Sequence, residues 1–128
     1  MNLAYLSVLI AALMPLVLAG LAKFGGVRHG VAYDNAAPRE SLARLAGWPQ
    51  RANWAQQNSW EAFALFSVSM LMALQSGFDP AKAGVWGVCF IAVRLAYSAL
   101  YLLDMASARS LCWLLGLAIC LRLMGAAL

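Results

Sequence analysis

The chain has 128 residues, of which 64% are hydrophobic and only 11% are charged, and its net charge is +4. With a mean hydropathy of +0.76, it carries more apolar surface than a soluble core of this size can bury. These values argue against a soluble domain and predict an integral membrane protein. A nucleic-acid-binding surface is not expected, because the few basic residues are interleaved with glycine and acidic residues and flank apolar stretches.

Four stretches of the chain are long and apolar enough to be transmembrane helices, each of which requires about 20 mostly apolar residues. They cover approximately residues 3–22, 52–74, 83–103 and 110–127. The first is preceded by no basic segment, so we interpret it as a retained helix and not as a signal peptide. The sequence therefore predicts an all-α membrane protein in which residues 1–128 form one bundle of four transmembrane helices.

The three connections between these helices differ in length. The first, residues 23–50, is long and contains charged residues, glycine and proline, so we expect it to be functional or ordered against something. In the second, Gly77 and Asp79 suit a tight turn, and Pro80 suits the first turn of the next helix. The third, residues 104–109, is equally short.

The basic residues are concentrated in the first and third connections. Those within or beside the first are Lys23, Arg28, Arg39, Arg44 and Arg51. Arg109 lies in the third, whereas Lys82 alone serves the second. The positive-inside rule therefore predicts that the first and third connections are cytosolic and that both termini lie on the opposite side of the membrane.

The cysteines and the single histidine do not indicate a metal site. Cys89, Cys112 and Cys120 lie in apolar helices, and none belongs to a Cys-x-x-Cys pair or has a histidine neighbour. With His29 as the only histidine, one chain does not offer the residues for a histidine-based metal centre or a Ser-His-Asp triad. We expect no metal cofactor.

Polar residues inside the second and third helices are the most informative feature of the sequence. Glu61 and Arg94 lie where a charge without a partner would cost several kcal/mol, so such residues usually face a bundle interior and mark a functional site. At 3.6 residues per turn, each belongs to a polar stripe along one helix face. The stripes consist of Arg51, Trp54, Asn58 and Glu61, with Gln57 on the flank, and of Arg94, Tyr97, Ser98, Tyr101 and Asp104. Facing each other, the two stripes would form a polar cleft.

Such a cleft would suit a small anionic or zwitterionic ligand. Arg94 can bind a carboxylate through two parallel hydrogen bonds, Glu61 can bind an ammonium group, and Asn58 offers a donor and an acceptor. Tyr97 and Tyr101 combine ring surface with a hydroxyl group. The residues equally allow a structural interpretation, in which Glu61 pairs with Arg94 and Asn58 bonds to a neighbouring helix.

Over its whole length the chain resembles the MAPEG family, the membrane-associated proteins in eicosanoid and glutathione metabolism. The resemblance includes four helices, a long first cytosolic connection and short later ones. The motifs that carry it are Arg51, Ala55, Asn58 and Glu61 in the second helix, Tyr33-Asp34-Asn35 and Pro38-Arg39-Glu40 in the first connection, Arg94-Leu95-Ala96-Tyr97 and Tyr101 in the third helix, and Ala108-Arg109-Ser110 at the start of the fourth. In these details the chain is most similar to the little-characterised bacterial branch, which implies the bacterial inner membrane.

The resemblance implies a homotrimer that binds glutathione as a co-substrate between adjacent subunits, near the cytosolic face. The positions that it assigns to glutathione binding are Arg28, Arg51, Asn58, Glu61, Arg94, Tyr97 and Tyr101. Arg109 matches, after a one-residue gap, an arginine that stabilises the glutathione thiolate and so creates a nucleophile at neutral pH. The second substrate would be a hydrophobic small molecule or lipid that reaches the site from the bilayer.

Two hypotheses follow from this resemblance, and enzymatic activity is left open between them. The first is a glutathione-dependent transferase or peroxidase that acts on hydrophobic electrophiles. The second is a non-catalytic trimeric membrane protein that binds a lipid or partner at the same cleft, since the family includes a non-enzymatic scaffold and a fold alone does not determine activity. Trp54, Gln50 and Ala62 stand where characterised members carry arginine, glutamate or tyrosine, and these departures weaken the first hypothesis.

Overall fold

The computed structural model describes residues 2–128, which form five helices and no strand. The helices are α1 Leu3–Arg28, α2 Pro38–Ala43, α3 Gly47–Gln75, α4 Pro80–Leu102 and α5 Ala106–Gly125. Three of them, α1, α4 and α5, are long and apolar enough to cross a membrane. The chain is thus an all-helical integral membrane protein, as its composition predicts.

Polar side chains and turn residues set several of the helix boundaries. The Asn2 side chain caps α1 by accepting a hydrogen bond from a backbone amide of the first turn. Asp79 caps α4 in the same way, and Pro80 occupies the first turn of that helix, where no intrahelical bond from its nitrogen is required. Gly77 adopts the left-handed region at φ 86° and lets the chain turn back between α3 and α4. The predicted tight turn is therefore present.

The predicted first connection, residues 23–50, is shorter in the structure because α1 and α3 both extend into it. A helix can continue beyond its apolar window when its charged side chains reach the interfacial region. Hydropathy alone therefore underestimates the length of both helices. The remaining segment, which includes the short α2, is ordered against the bundle. Leu45 packs with Ala22 of α1 and Ala52 of α3, and a Cβ on Gly26 would overlap Leu45.

Helices α1 and α4 run parallel, with their first turns in contact. A Cβ placed on Gly84 would lie 2.8 Å from the Cβ of Leu3, and one placed on Gly87 would overlap the Ser7 side chain. Small residues of this kind allow two membrane helices to approach closely. Because α3 connects the C-terminal end of α1 to the N-terminal end of α4, it runs antiparallel to both.

The main core lies where the four long helices meet. The ring of Phe66 stacks on that of Phe90, with centroids 3.9 Å apart and an angle of 4° between the planes. Met70 and Leu123 are fully buried in the same core. Many large apolar side chains of α1 and α5 are instead exposed, which in a membrane protein suits contact with lipid or with another copy.

The longest helix, α3, has 29 residues and is not among the three helices apolar enough to span. Its first half carries the amide, hydroxyl and carboxylate groups of residues 50–61, which lower its hydropathy. Hydropathy therefore supports three of the four predicted transmembrane helices, and the polar half of the remaining one forms part of a cavity.

Candidate functional site

A cavity of about 130 Å³ opens between α3, α4 and α5. The residues that line it are Asn58, Glu61, Ala62 and Leu65 of α3, Phe90 and Arg94 of α4, and Trp113, Gly116, Leu117 and Cys120 of α5. Most of this wall is apolar, and Asn58, Glu61 and Arg94 supply its charged and amide groups. A concave apolar wall with a few polar groups is typical of a small-molecule site.

Arg94 is almost completely buried, with 3% of its surface exposed. Its Nη2 donates a hydrogen bond to Ser59 Oγ at 3.2 Å, and its guanidinium carbon lies 4.1 Å from the centre of the Tyr97 ring. Glu61 forms no ion pair with Arg94. The one ion pair among residues 2–128 joins Arg51 and Asp104. The direct salt bridge that the sequence allowed is therefore absent, and the two partners of Arg94 are uncharged.

Asn58 and Glu61 lie about one turn apart on α3 and are joined by a hydrogen bond. Asn58 Nδ2 donates to Glu61 Oε2 at 3.3 Å. The Oδ1 atom of Asn58 is buried and accepts no hydrogen bond from the residues that the structure describes. Buried acceptors in folded proteins usually have a donor, so a donor from outside this chain is expected at Asn58.

The two predicted polar stripes face each other at the start of α3 and the end of α4. Arg51 Nε donates to the carbonyl oxygen of Leu102 at 3.1 Å, and Arg51 Nη1 lies 4.0 Å from Asp104 Oδ2. One turn further along α3, the ring centroids of Trp54 and Tyr101 are 6.5 Å apart. These contacts hold the two helix ends together and engage Arg51 outside the cavity that Arg94 lines.

Arg109, the predicted catalytic residue, lies in the first turns of α5 and stacks on Tyr101 of α4. Its guanidinium carbon is 4.2 Å from the centre of the Tyr101 ring, and that ring meets the Tyr97 ring edge-on with centroids 5.6 Å apart. Because Arg94 stacks on Tyr97, two guanidinium groups and two rings form a continuous row from Arg109 to the cavity. A guanidinium stacked through its face keeps the N–H donors in its plane available for an anion.

Arg28 lies apart from the other predicted site residues. It belongs to the last turn of α1 and is exposed, with its guanidinium carbon 5.4 Å from the centre of the Phe24 ring. It does not line the cavity between α3, α4 and α5. A single chain therefore does not bring Arg28 to this site.

The wall contributed by α5 is not among the features predicted from the sequence. Trp113, Gly116 and Cys120 recur at three- and four-residue intervals and so share one helix face, a signal that the sequence does contain. Ser59 was also not predicted, although its hydroxyl group holds Arg94. A linear pattern does not reveal which face of α5 meets α3 and α4, because that depends on how the bundle packs.

The fold and this site define a class of protein: a helical integral membrane protein with a partly polar cavity among its helices. The chain matches the model of the MAPEG family over residues 3–128, and it belongs to that family. The resemblance inferred from the motifs is thereby confirmed. Comparison with curated proteins and with solved structures found no match.

Proposed function

We propose that this protein is a glutathione-dependent membrane transferase or peroxidase that acts on hydrophobic electrophiles. The observation that carries the proposal is Arg94, which is 3% exposed, lines a cavity and has no carboxylate partner among the described residues. A buried cation without a counter-ion is costly, so an anionic group of a ligand is its natural partner. Membership of the MAPEG family supports glutathione as the source of that group.

The zwitterionic γ-glutamyl end of glutathione binds between Arg94 and Glu61 in this proposal. Arg94 donates hydrogen bonds to the carboxylate, and Glu61 accepts them from the ammonium group. Asn58 Oδ1, which is buried without a donor in its own chain, accepts a further hydrogen bond from the ligand. Tyr97 and Tyr101 form the wall that leads from this end towards Arg109.

Arg109 is the proposed catalytic residue because its N–H donors can stabilise the thiolate of bound glutathione. Stabilising the anion raises the fraction of glutathione that is nucleophilic at neutral pH. In the transferase reaction the thiolate forms a sulfur–carbon bond and a leaving group departs from the electrophile. In the peroxidase reaction the thiolate breaks the O–O bond of a hydroperoxide, and a second glutathione completes the formation of glutathione disulfide, an alcohol and water.

The proposal includes α3 as a fourth transmembrane helix, although hydropathy does not indicate it. Helices α1 and α4 are parallel, with Gly84 against Leu3 and Gly87 against Ser7. If both cross the membrane in the same direction, the chain between them must cross back, and α3 is the helix long enough to do so. Its 29 residues extend for about 43 Å at 1.5 Å per residue, against a hydrocarbon core of about 30 Å.

A homotrimer accounts for a charged group of α3 that a single chain leaves uncovered. Glu61 is exposed, and lipid would be an unfavourable neighbour for it, so a second copy that covers it stabilises it. Arg28 would reach the ligand, and Arg51 would remain beside it, at such an interface between subunits. The distribution of basic residues supports cytosolic first and third connections, in a bacterial inner membrane.

Glutathione binding by the purified protein tests this proposal. We expect glutathione to raise the unfolding temperature and to produce the ultraviolet absorbance of a thiolate. Arg109→Ala should retain the stabilisation by glutathione and lose the thiolate absorbance. The matched control is Arg122→Ala, which removes the same charge from the other end of α5, where Arg122 stacks on Phe78, and should preserve both signals.

A non-catalytic protein that binds a lipid or partner at the same cleft is the second candidate. The apolar residues that dominate the cavity wall, among them Leu65, Phe90 and Leu117, favour it. If glutathione neither stabilises the protein nor produces thiolate absorbance, the transferase proposal fails. Stabilisation by lipid under the same conditions would then support the second candidate.

A further inference from the structure

A second cavity lies between α2 and the first turns of α3. Its volume is about 440 Å³, and the residues that line it are Arg39, Leu42 and Ala43 of α2 and Gln50, Asn53, Trp54 and Gln57 of α3. It shares no lining residue with the cavity that contains Arg94. One guanidinium group and three amide groups belong to its lining, and no carboxylate does, so it is complementary to an anion.

Asn53 is the most deeply buried of the polar residues that line this cavity. Only 9% of its surface is exposed. Its side-chain amide forms no hydrogen bond with another residue of the described part of the chain, residues 2–128. An amide can donate two hydrogen bonds and accept two. The amide atoms of Asn53 are not among the buried polar atoms that lack a partner, so they are accessible from the cavity. Asn53 therefore offers donors and an acceptor to a ligand in the cavity.

The walls of this cavity are held in place without a ligand. Leu42 of α2 packs on a cluster that joins α1, α3 and Leu45. The Ser41 hydroxyl oxygen, also in α2, accepts a hydrogen bond from the Asp34 amide at 2.9 Å. Because α2 is fixed against the bundle in this way, a ligand would meet a site that is already formed.

We propose that the cavity between α2 and α3 binds an anionic phosphate ester group. Arg39 would bind the phosphate through parallel hydrogen bonds, as guanidinium groups do, and the amides of Gln50, Asn53 and Gln57 would donate to its remaining oxygens. A phosphate offers more acceptor oxygens than a carboxylate, which matches a lining of one arginine and three amides. This cavity shares no lining residue with the cavity that contains Arg94, although Trp54 and Gln57 belong to the same polar stripe of α3 as Asn58 and Glu61.

Both an anionic phospholipid and a soluble phosphate ester present this group. The location favours the phospholipid head group, because the cavity lies beside the basic first connection, at the end of the bundle where α3 meets the end of α4. Trp54 and Leu42 provide apolar surface next to the polar groups, as the glycerol and first chain carbons of a lipid would require. Trp54 is 43% exposed and suits an interfacial position.

Thermal unfolding of the purified protein in uncharged detergent tests the proposal, with phosphatidylglycerol, phosphatidylcholine or glycerol 3-phosphate added over a range of concentrations. We expect phosphatidylglycerol to stabilise the wild-type protein and phosphatidylcholine to stabilise it far less. Arg39→Gln and Asn53→Leu should each weaken the apparent affinity for phosphatidylglycerol by about tenfold or more, since each loses contacts to a charged group. Arg44→Gln is the matched control: it removes the same charge next to α2 from a residue outside this cavity, and should behave as wild type.

Equal losses in Arg39→Gln and Arg44→Gln would indicate general surface charge and overturn the proposal, as would a failure of both phosphatidylglycerol and glycerol 3-phosphate to stabilise the wild-type protein. Stabilisation by glycerol 3-phosphate alone, with the same dependence on Arg39, would support the site and identify a soluble ligand. Asn53→Asp preserves the size of the side chain and repels an anion, so it tests the same contact if Asn53→Leu does not fold.

Discussion

Arg94 and Glu61 are charged residues of neighbouring helices that the chain does not pair with each other. Arg94 instead bonds to Ser59 and stacks on Tyr97, while Glu61 accepts a hydrogen bond from Asn58. Neutral partners offset part of the cost of burying Arg94 and leave its charge uncompensated. Both residues therefore retain the capacity for an ionic partner, and one zwitterionic ligand would satisfy both.

Replacing Glu61 with glutamine should weaken glutathione binding by roughly ten- to a hundred-fold, because a hydrogen bond to a charged group contributes about 1.5–3 kcal/mol. Glutamine keeps the size of the side chain and an oxygen that can accept from Asn58, so the unfolding temperature without ligand should change little. Isothermal titration calorimetry measures the affinity. Glu40→Gln, on α2 and outside the cavity, removes the same charge and should bind glutathione as the wild type does.

Two results would contradict the proposed role of Glu61. An unchanged affinity for glutathione in folded Glu61→Gln would show that this carboxylate does not bind the ligand. A large drop in the unfolding temperature without ligand, together with unchanged affinity, would show that Glu61 stabilises the protein instead.

Helices α1 and α4 are held together through small residues at their point of closest approach. Gly84 meets Leu3, and Gly87 meets Ser7, at distances that leave no room for a further carbon atom. In a bilayer, apolar side chains gain little by moving from lipid into protein, so close packing becomes a main contribution to helix association. The glycines of α4 therefore set how the first and third long helices fit together.

Replacing Gly87 with alanine should destabilise the protein by about 1–3 kcal/mol, because the added methyl group would overlap the Ser7 side chain and force the helices apart. Unfolding in mixed micelles with increasing sodium dodecyl sulfate measures the change. The matched control is Gly20→Ala in α1, where an added Cβ meets nothing within 4 Å. Alanine favours a helix over glycine by about 1 kcal/mol, so the control should be neutral or stabilising. Equal destabilisation by both substitutions would contradict the role of Gly87 in close packing.

The parallel arrangement of α1 and α4 constrains the path of the whole chain. With α3 crossing back between them and α5 following α4, four crossings would bring both termini to the same side of the membrane. From the basic residues of the first and third connections, the positive-inside rule predicts that those connections are cytosolic. The termini would then lie on the periplasmic side.

Reporter fusions at the C-terminus test this arrangement in bacterial cells. Alkaline phosphatase, which is active only outside the cytosol, should be active when fused after Leu128, and green fluorescent protein fused at the same position should not fluoresce. A fusion within the first connection, after residue 36, should give the reverse pattern and serves as the internal control. Fluorescence of the C-terminal fusion would overturn the orientation deduced from charge.

Several features of the molecule are properties of short stretches of chain and could be predicted from sequence. Hydropathy predicts the membrane class and the three apolar helices, and the residues of the Gly77 turn predict its position. Helical periodicity predicts the two polar stripes, and the Arg51–Asp104 contact agrees with the prediction that they face each other. The motifs predicted the family to which the chain belongs.

Other features depend on which helix faces meet, and no periodicity along a single helix contains that information. Arg94 bonds to Ser59 instead of pairing with Glu61, and α5 closes the cavity through residues such as Cys120. The cavity beside Asn53 likewise exists because α2 folds back onto α3. These arrangements depend on close contacts between residues far apart in the chain. Such contacts form only when the whole bundle packs, so no single stretch of sequence specifies them.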